Sequence, residues 1–378
     1  MDGRILLLNE LYAEVLSKLP RIDTSKNYWF FRANGGTYYH SFHIGNYIAI
    51  GWNFISLQDL KELSKDQVKR KLEEFDKNIS NPGSAYNQML KFANSIKIGD
   101  FVIVPSKAPN NLIVGKVVSE PYTESEWRID SESNYCPYNK RIQVDWLGVI
   151  ENKDIDSKLY KLVYSGHTIS DANQYKKYIN RGLYDAYIDG NRMSVTFKVQ
   201  EEMNIDAFAY STFLHKTLTM SQILQEGLDK HNEIILRTNV QSNGIIELLG
   251  NPEILCPIAT VLTLSICGIY FGSAVKKHGG KLDVDVKSGK LSSSINSEGD
   301  DALKKAKARK INADANKINA DANKINAETI LRLTEAGVSP ELLNTFAALS
   351  LRAPEQVSKI TDNRVDLSGQ LEFEERDE

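Results

Sequence analysis

From Ile254 to Val275 the chain runs for 22 residues without a charge, ILCPIATVLTLSICGIYFGSAV, and it does so nowhere else. Such a run has two homes. One is a helix across a hydrocarbon core of roughly 30 Å, which ~20 residues rising 1.5 Å each can cross. The other is a helix buried on every side in a protein core. The length, the lack of a polar stripe and the flank Lys276-Lys277-His278 favour a transmembrane helix over 254–275. Gly268 and Gly272 form a GxxxG step that lets two helix backbones approach closely. Lys276, Lys277, Lys281, Lys287 and Lys290 follow the run, whereas Arg237 is the one basic residue in the twenty before it. The bias of basic residues toward the cytoplasm would then send the N-terminal part outward. Two arrangements avoid this: a cytosolic N-terminal domain with an exported tail, or a span shielded until a signal releases it.

Beyond the run, KINADAN recurs almost perfectly from residue 310 to 330. Ile311, Ile318 and Ile325 share one position, and Ala315 and Ala322 fall three and four residues away, so an Ile/Ala seam repeats every seven residues. Lys310, Lys317 and Lys324 precede Asp314, Asp321 and Glu328 by four, the weaker order for an intrahelical ion pair. A seam this thin buries little, so two such helices alone would be marginal, and a closely packed homo-oligomer is the expected use. A solvated single helix is the alternative. The segment holds no ligand set, basic patch or aromatic platform.

The first 150 residues read differently. A short amphipathic helix (1–26) leads into β-rich runs bounded by Gly, Asn and Pro: NYWFFRANGG, NYIAIGWNFI, GDFVIVPS, NLIVGKVVSEPY and KRIQVDWLGVI. Between the second and third, apolar residues recur at helical spacing and Pro82-Gly83 splits the stretch. The expected fold class is α+β: a partly closed N-terminal β-barrel with helical insertions, then a largely helical C-terminal region. The expected segments are a barrel domain (27–150), its extension (151–215), a helical connector (216–253), the hydrophobic helix (254–275) and a β-hairpin (281–297). A heptad-repeat helix (300–336), a short helix (339–352) capped by Ser339 with Pro340 following, and an acidic tail (353–378) complete the chain.

Composition narrows the chemistry. Three cysteines, Cys136, Cys256 and Cys267, fit a reducing compartment and no disulfide framework. No CxxC or Cys/His spacing suggests a metal, no nucleophile–base arrangement a catalyst, and no cofactor is expected. DVDVK at 283–287 has the carboxylate-x-Lys spacing of a nuclease centre, but the uncharged run stands where an earlier acidic strand is needed. A net charge of −3 gives no general attraction to nucleic acid, so a polyanion would need a local patch.

WFFRAN, YYHSFHIGNYIAIGW, LKFANSIKIGDFVIVPS, IVGKVVSEPY and KRIQVDW, in that order over residues 27–150, resemble the N-terminal domain of Mrr-type restriction proteins. That domain is related to EVE and PUA-like modules, which recognise modified bases. The resemblance implies a ligand pocket at the barrel mouth with aromatic faces from Trp29, Tyr38 and Trp52 and polar groups from Arg32, Asn34 and Asn53. Trp52 in IGW is the foremost cage wall. Stacking faces and edge hydrogen bonds are what a flipped base requires, although Phe31, Ile48, Ile50 and Val102 equally alternate into an ordinary core.

The whole chain resembles effectors of prokaryotic antiviral defence systems, some encoded beside Argonaute proteins. That implies a sensor for a modified base, nucleotide or nucleic-acid complex joined to a C-terminal region that oligomerises and perturbs the membrane. The protein would be cytoplasmic with inner-membrane association, with a sensor such as an Argonaute as partner. The alternative is a soluble modified-DNA-binding specificity subunit of a restriction system, with 254–275 as a core helix.

Overall fold

Helix α1 (Gly3–Lys18) and strand β1 (Arg21–Ile22) open the chain but belong with its far end. They join Tyr184–Glu378 in one unit, while Asp23–Leu183 forms the other. The structure, a computed structural model, describes residues 3–107, 111–125, 135–200, 205–229, 233–239, 244–267, 327–337 and 339–362.

In the unit 23–183 a curled half-barrel sheet carries helices. Its strands are β2 (Tyr28–Phe31), β3 (Tyr47–Ile50), β4 (Phe101–Pro105), β5 (Asn111–Val117), β6 (Tyr122–Thr123), β7 (Lys140–Glu151) and β8 (Ile169–Asp171), in the order β3-β7-β5-β4-β2-β8, with β6 beside β7. Only β2 and β4 run parallel. Strand β7 closes the curl because its first residues pair with β3 and the rest with β5, and a register shift at Val114/Gly115 bends the pair.

All four residues of β2 are buried, since both sheet faces are covered. Trp29 and Phe31 point into one core with Ile48, Ile50 and Val102, and Tyr28 and Phe30 into the other with Phe101 and Ile103. The helices between β3 and β4 start where the sequence indicates. Ser64 and Gln67 form a capping box for α4 (Lys65–Phe75), and Asn81 caps α5 (Pro82–Leu90), with Pro82 at its first position. A π-helical turn, Lys91–Ser95, continues α5.

The other unit centres on one helix. Strands β9 (Ala186–Asp189) and β10 (Arg192–Val199) form a hairpin about Asp189-Gly190-Asn191, and β10 also pairs with β12 (Ile245–Gly250). Residues 184–215, grouped by sequence with the barrel, thus supply strands and the start of α8 (Ala207–Leu228) to this unit. Asn251 caps α9 (Pro252–Ile266). Ile254 to Ser265 are buried without exception, against α1, α8, β10, β12 and helices Ala327–Gly337, Pro340–Ala348 and Glu355–Thr361.

Two of the three hydroxyls inside α9 bond back one turn, Thr260 to Cys256 O at 2.9 Å and Ser265 to Val261 O at 2.8 Å, while Thr263 Oγ1 is buried without a partner among the described residues. Among the described residues no helix is long and apolar enough to cross a membrane. The described part of the uncharged run is a core helix that ends at Ile266. Val275, Gly268 and Gly272, the hairpin 281–297, the repeat positions Ile311, Ala315, Ile318, Ala322 and Ile325, and most of the acidic tail lie outside the described residues.

Candidate ligand-binding site

Four chain segments meet at one end of the half-barrel: the residues after β2, the turn after β3, the approach to β7 and the approach to β8. They enclose a cavity of about 360 Å³, with Arg32, Asn34, Gly51, Trp52, Tyr138 and Thr168 in its lining. That volume suits a small flat ligand. Among the described residues no Asp or Glu lines it.

The cavity forms because the chain adopts conformations that side chains avoid. Ala33, Asn34, Gly35 and Gly36 all have positive φ, and so does Trp52, at 55°. A bulky residue there costs on the order of 1–3 kcal/mol and persists only where its surroundings enforce it.

At Trp52 the enforcing group is Lys140. Its ammonium is almost wholly buried and donates to Trp52 O at 2.8 Å and Ile55 O at 2.9 Å. Burial lowers its pKa to about 8, against a partial opposing pull from Asp59.

A second bond set runs the other way. Asn53 Nδ2 donates to Pro137 O at 2.7 Å, and Asn53 Oδ1 accepts from Asn139 N–H at 3.2 Å. Asn53 thus fixes the turn that carries Tyr138, while Lys140, two residues on, fixes the turn that carries Trp52. Tyr138 stands edge-on to Tyr38 with ring centroids 5.1 Å apart and lies so close to Gly51 that a Cβ there would sit 3.1 Å from its ring. Burial, with a smaller push from Tyr38 and Cys136, raises the Tyr138 hydroxyl to about 12, so it remains a neutral donor.

The residues expected at the site separate into three groups. Arg32, Asn34 and Trp52 line the cavity, and neither the Arg32 guanidinium nor the Asn34 amide has a side-chain partner among the described residues. Tyr38 and Asn53 act behind it, one against Tyr138 and the other through the 137–139 turn. Trp29 is core: it is 8% exposed and its indole N–H donates to Asp100 Oδ2 at 2.9 Å.

Asp100, 2% exposed, also accepts from Asn27 and Lys97 N–H, so the Gly99-Asp100 turn ties β2 to β4. Sequence reasoning missed Tyr138, Thr168 and Lys140. The only local hint was Pro137-Tyr138 immediately ahead of a strand.

The arrangement can stack a planar ring on Trp52 and Tyr138 and bond its edge through Arg32, Asn34 and Thr168. Among the described residues there is no group of three or more His, Cys, Asp or Glu placed to hold a metal ion. Residues 32–172 match a family model described as Domain of unknown function (DUF8426), a segment that contains every residue lining the cavity. No curated protein matches the chain.

Proposed function

We propose that the chain is a recognition protein of a prokaryotic antiviral defence system whose unit 23–183 takes a modified base, free or in nucleic acid, into the Trp52–Tyr138 cavity. The supporting observation is the cavity itself. Two aromatic faces, an uncommitted guanidinium and an amide converge on a space of about 360 Å³ without a carboxylate in its lining. The other unit, with the heptad repeat, carries the response by assembly, through a membrane or through a partner such as an Argonaute.

For that second half, the burial of Ile254 to Ser265 favours the reading as a specificity subunit with a core helix. A membrane-acting form would have to expose six large aliphatic side chains, Ile254, Leu255, Ile258, Val261, Leu262 and Leu264, each worth about 1.5–3 kcal/mol of burial.

The test of the cavity is Trp52→Ala, assayed against nucleosides and 12-nucleotide strands bearing cytosine, 5-methylcytosine, 5-hydroxymethylcytosine or N6-methyladenine. Affinity for the preferred base should fall at least tenfold with the thermal midpoint little changed. Unchanged binding would remove the assignment. Membrane fractionation separates the two responses, because a span places the protein with the membrane and a core helix does not.

A further inference from the structure

We infer that the ligand is a nucleic-acid strand rather than a free nucleotide, because a second, polar cleft beside the base cavity is built to hold the backbone flanking the recognised base. This rests on the base-binding reading above and adds a separate surface to it.

The cleft, about 760 Å³, runs along α5 and the π-turn that follows. Ser84, Asn87, Gln88, Lys91, Asn94 and Ser95 line it. Their spacing of three and four residues places them on one helical face, while Ala85, Met89 and Phe92 bury the opposite face. An amphipathic helix usually exposes mixed charges; this one exposes amides, hydroxyls and a lysine. Those are the groups that bond phosphate and sugar oxygens in nucleic-acid interfaces. The π-turn keeps Asn94 and Ser95 on the cleft side, and such turns recur at functional positions.

Gln88 supplies an independent sign. It is 6% exposed, its Oε1 accepts the Ile169 N–H at 2.7 Å, and its Nε2 has no partner among the described residues although the side chain lines the cleft. With its Oε1 held by the backbone of β8, the amide can present its Nε2 donor to an oxygen in the cleft.

Charge agrees. Among the described residues the cleft lining holds Lys91 and His167 and no Asp or Glu, and the base cavity adds Arg32, again with no described acid. Residues 23–183 carry 21 Lys and Arg against 18 Asp and Glu, in a chain whose total is −3. The two sites also adjoin: Gly166 and Thr168 line the cavity and His167, between them, lines the cleft. A strand whose base enters the cavity therefore meets the cleft across a single residue.

The experiment compares the full chain with the triple variant Asn87→Ala, Lys91→Ala, Asn94→Ala and with Trp52→Ala, using the same bases as free nucleosides and as 12-nucleotide DNA and RNA strands over a salt series. The triple variant should lose at least tenfold in strand affinity and keep its nucleoside affinity. Its slope of log affinity on log salt should shrink by about 0.7, one phosphate contact to single-stranded nucleic acid.

Unchanged strand binding in the triple variant, with loss in Trp52→Ala, overturns the cleft and leaves the base cavity standing. Strand loss in the triple variant with unchanged binding in Trp52→Ala upholds the cleft and removes the cavity. Wild-type affinity equal for nucleoside and strand, or absent for both, overturns the inference.

Discussion

Lys140 shows how a single side chain can set the shape of a cavity that it does not line. Replacing it by Met leaves the Trp52 and Ile55 carbonyls without their donor, which should cost about 2–4 kcal/mol in urea unfolding at pH 7 and weaken ligand binding with it. The pH dependence has a definite sign. The folded pKa of about 8 lies below the ordinary 10.5, so between those values the unfolded chain binds more protons. Wild-type stability should therefore rise relative to Lys140→Met by up to about 1.4 kcal/mol per pH unit from 8 to 10.5. A neutral amine keeps two N–H donors, so the contact survives the titration. An opposite slope in the wild-type-minus-variant difference would show that the amine is not desolvated. None of this was legible in the sequence, because Lys140 and Trp52 lie 88 positions apart and neither neighbourhood advertises the other. Trp52, Arg32 and Asn34, named from the sequence, line the cavity, and their contact with a ligand is what the Trp52→Ala assay tests. Trp29 went astray because an indole N–H meant for Asp100 looks, in sequence, like any other aromatic face.

Among the elements, the turn 33–36 carries the most stringent requirement. Gly36 has φ +85° and a Cβ there would stand 2.4 Å from the Lys107 backbone nitrogen. Gly36→Ala should thus lower stability by about 2 kcal/mol or more and displace the Arg32–Asn34 rim, seen as a lower melting midpoint together with weaker ligand binding. A variant as stable as wild type would mean that the turn has a second accessible form. The strands over 101–105, 111–117 and 140–151 were readable, since β-branched runs bounded by turn residues have few other uses. Helix α9 was not. Length and lack of charge describe lipid-facing and fully enclosed helices alike, and what encloses this one comes from residues 3–18, 192–199, 207–228, 245–250, 327–337, 340–348 and 355–361.

At the scale of the molecule, charge is unevenly shared: the unit 23–183 has a small positive excess, so the remaining residues carry the acidity. The two units thereby carry net charges of opposite sign. The heptad repeat gives the sharpest prediction for the response. Replacing Ile311, Ile318 and Ile325 with Asn should lower the assembly state in light scattering while leaving nucleoside and strand binding intact; unchanged assembly would assign the repeat a monomeric role. The residues around it add a constraint. Helix α9 ends at Ile266, and helix Ala327–Gly337, with Ile330 and Leu333 buried, belongs to the same core. Both flanks of residues 268–326 therefore belong to one core, so a change in the length of that segment alters neither of the helices that bound it.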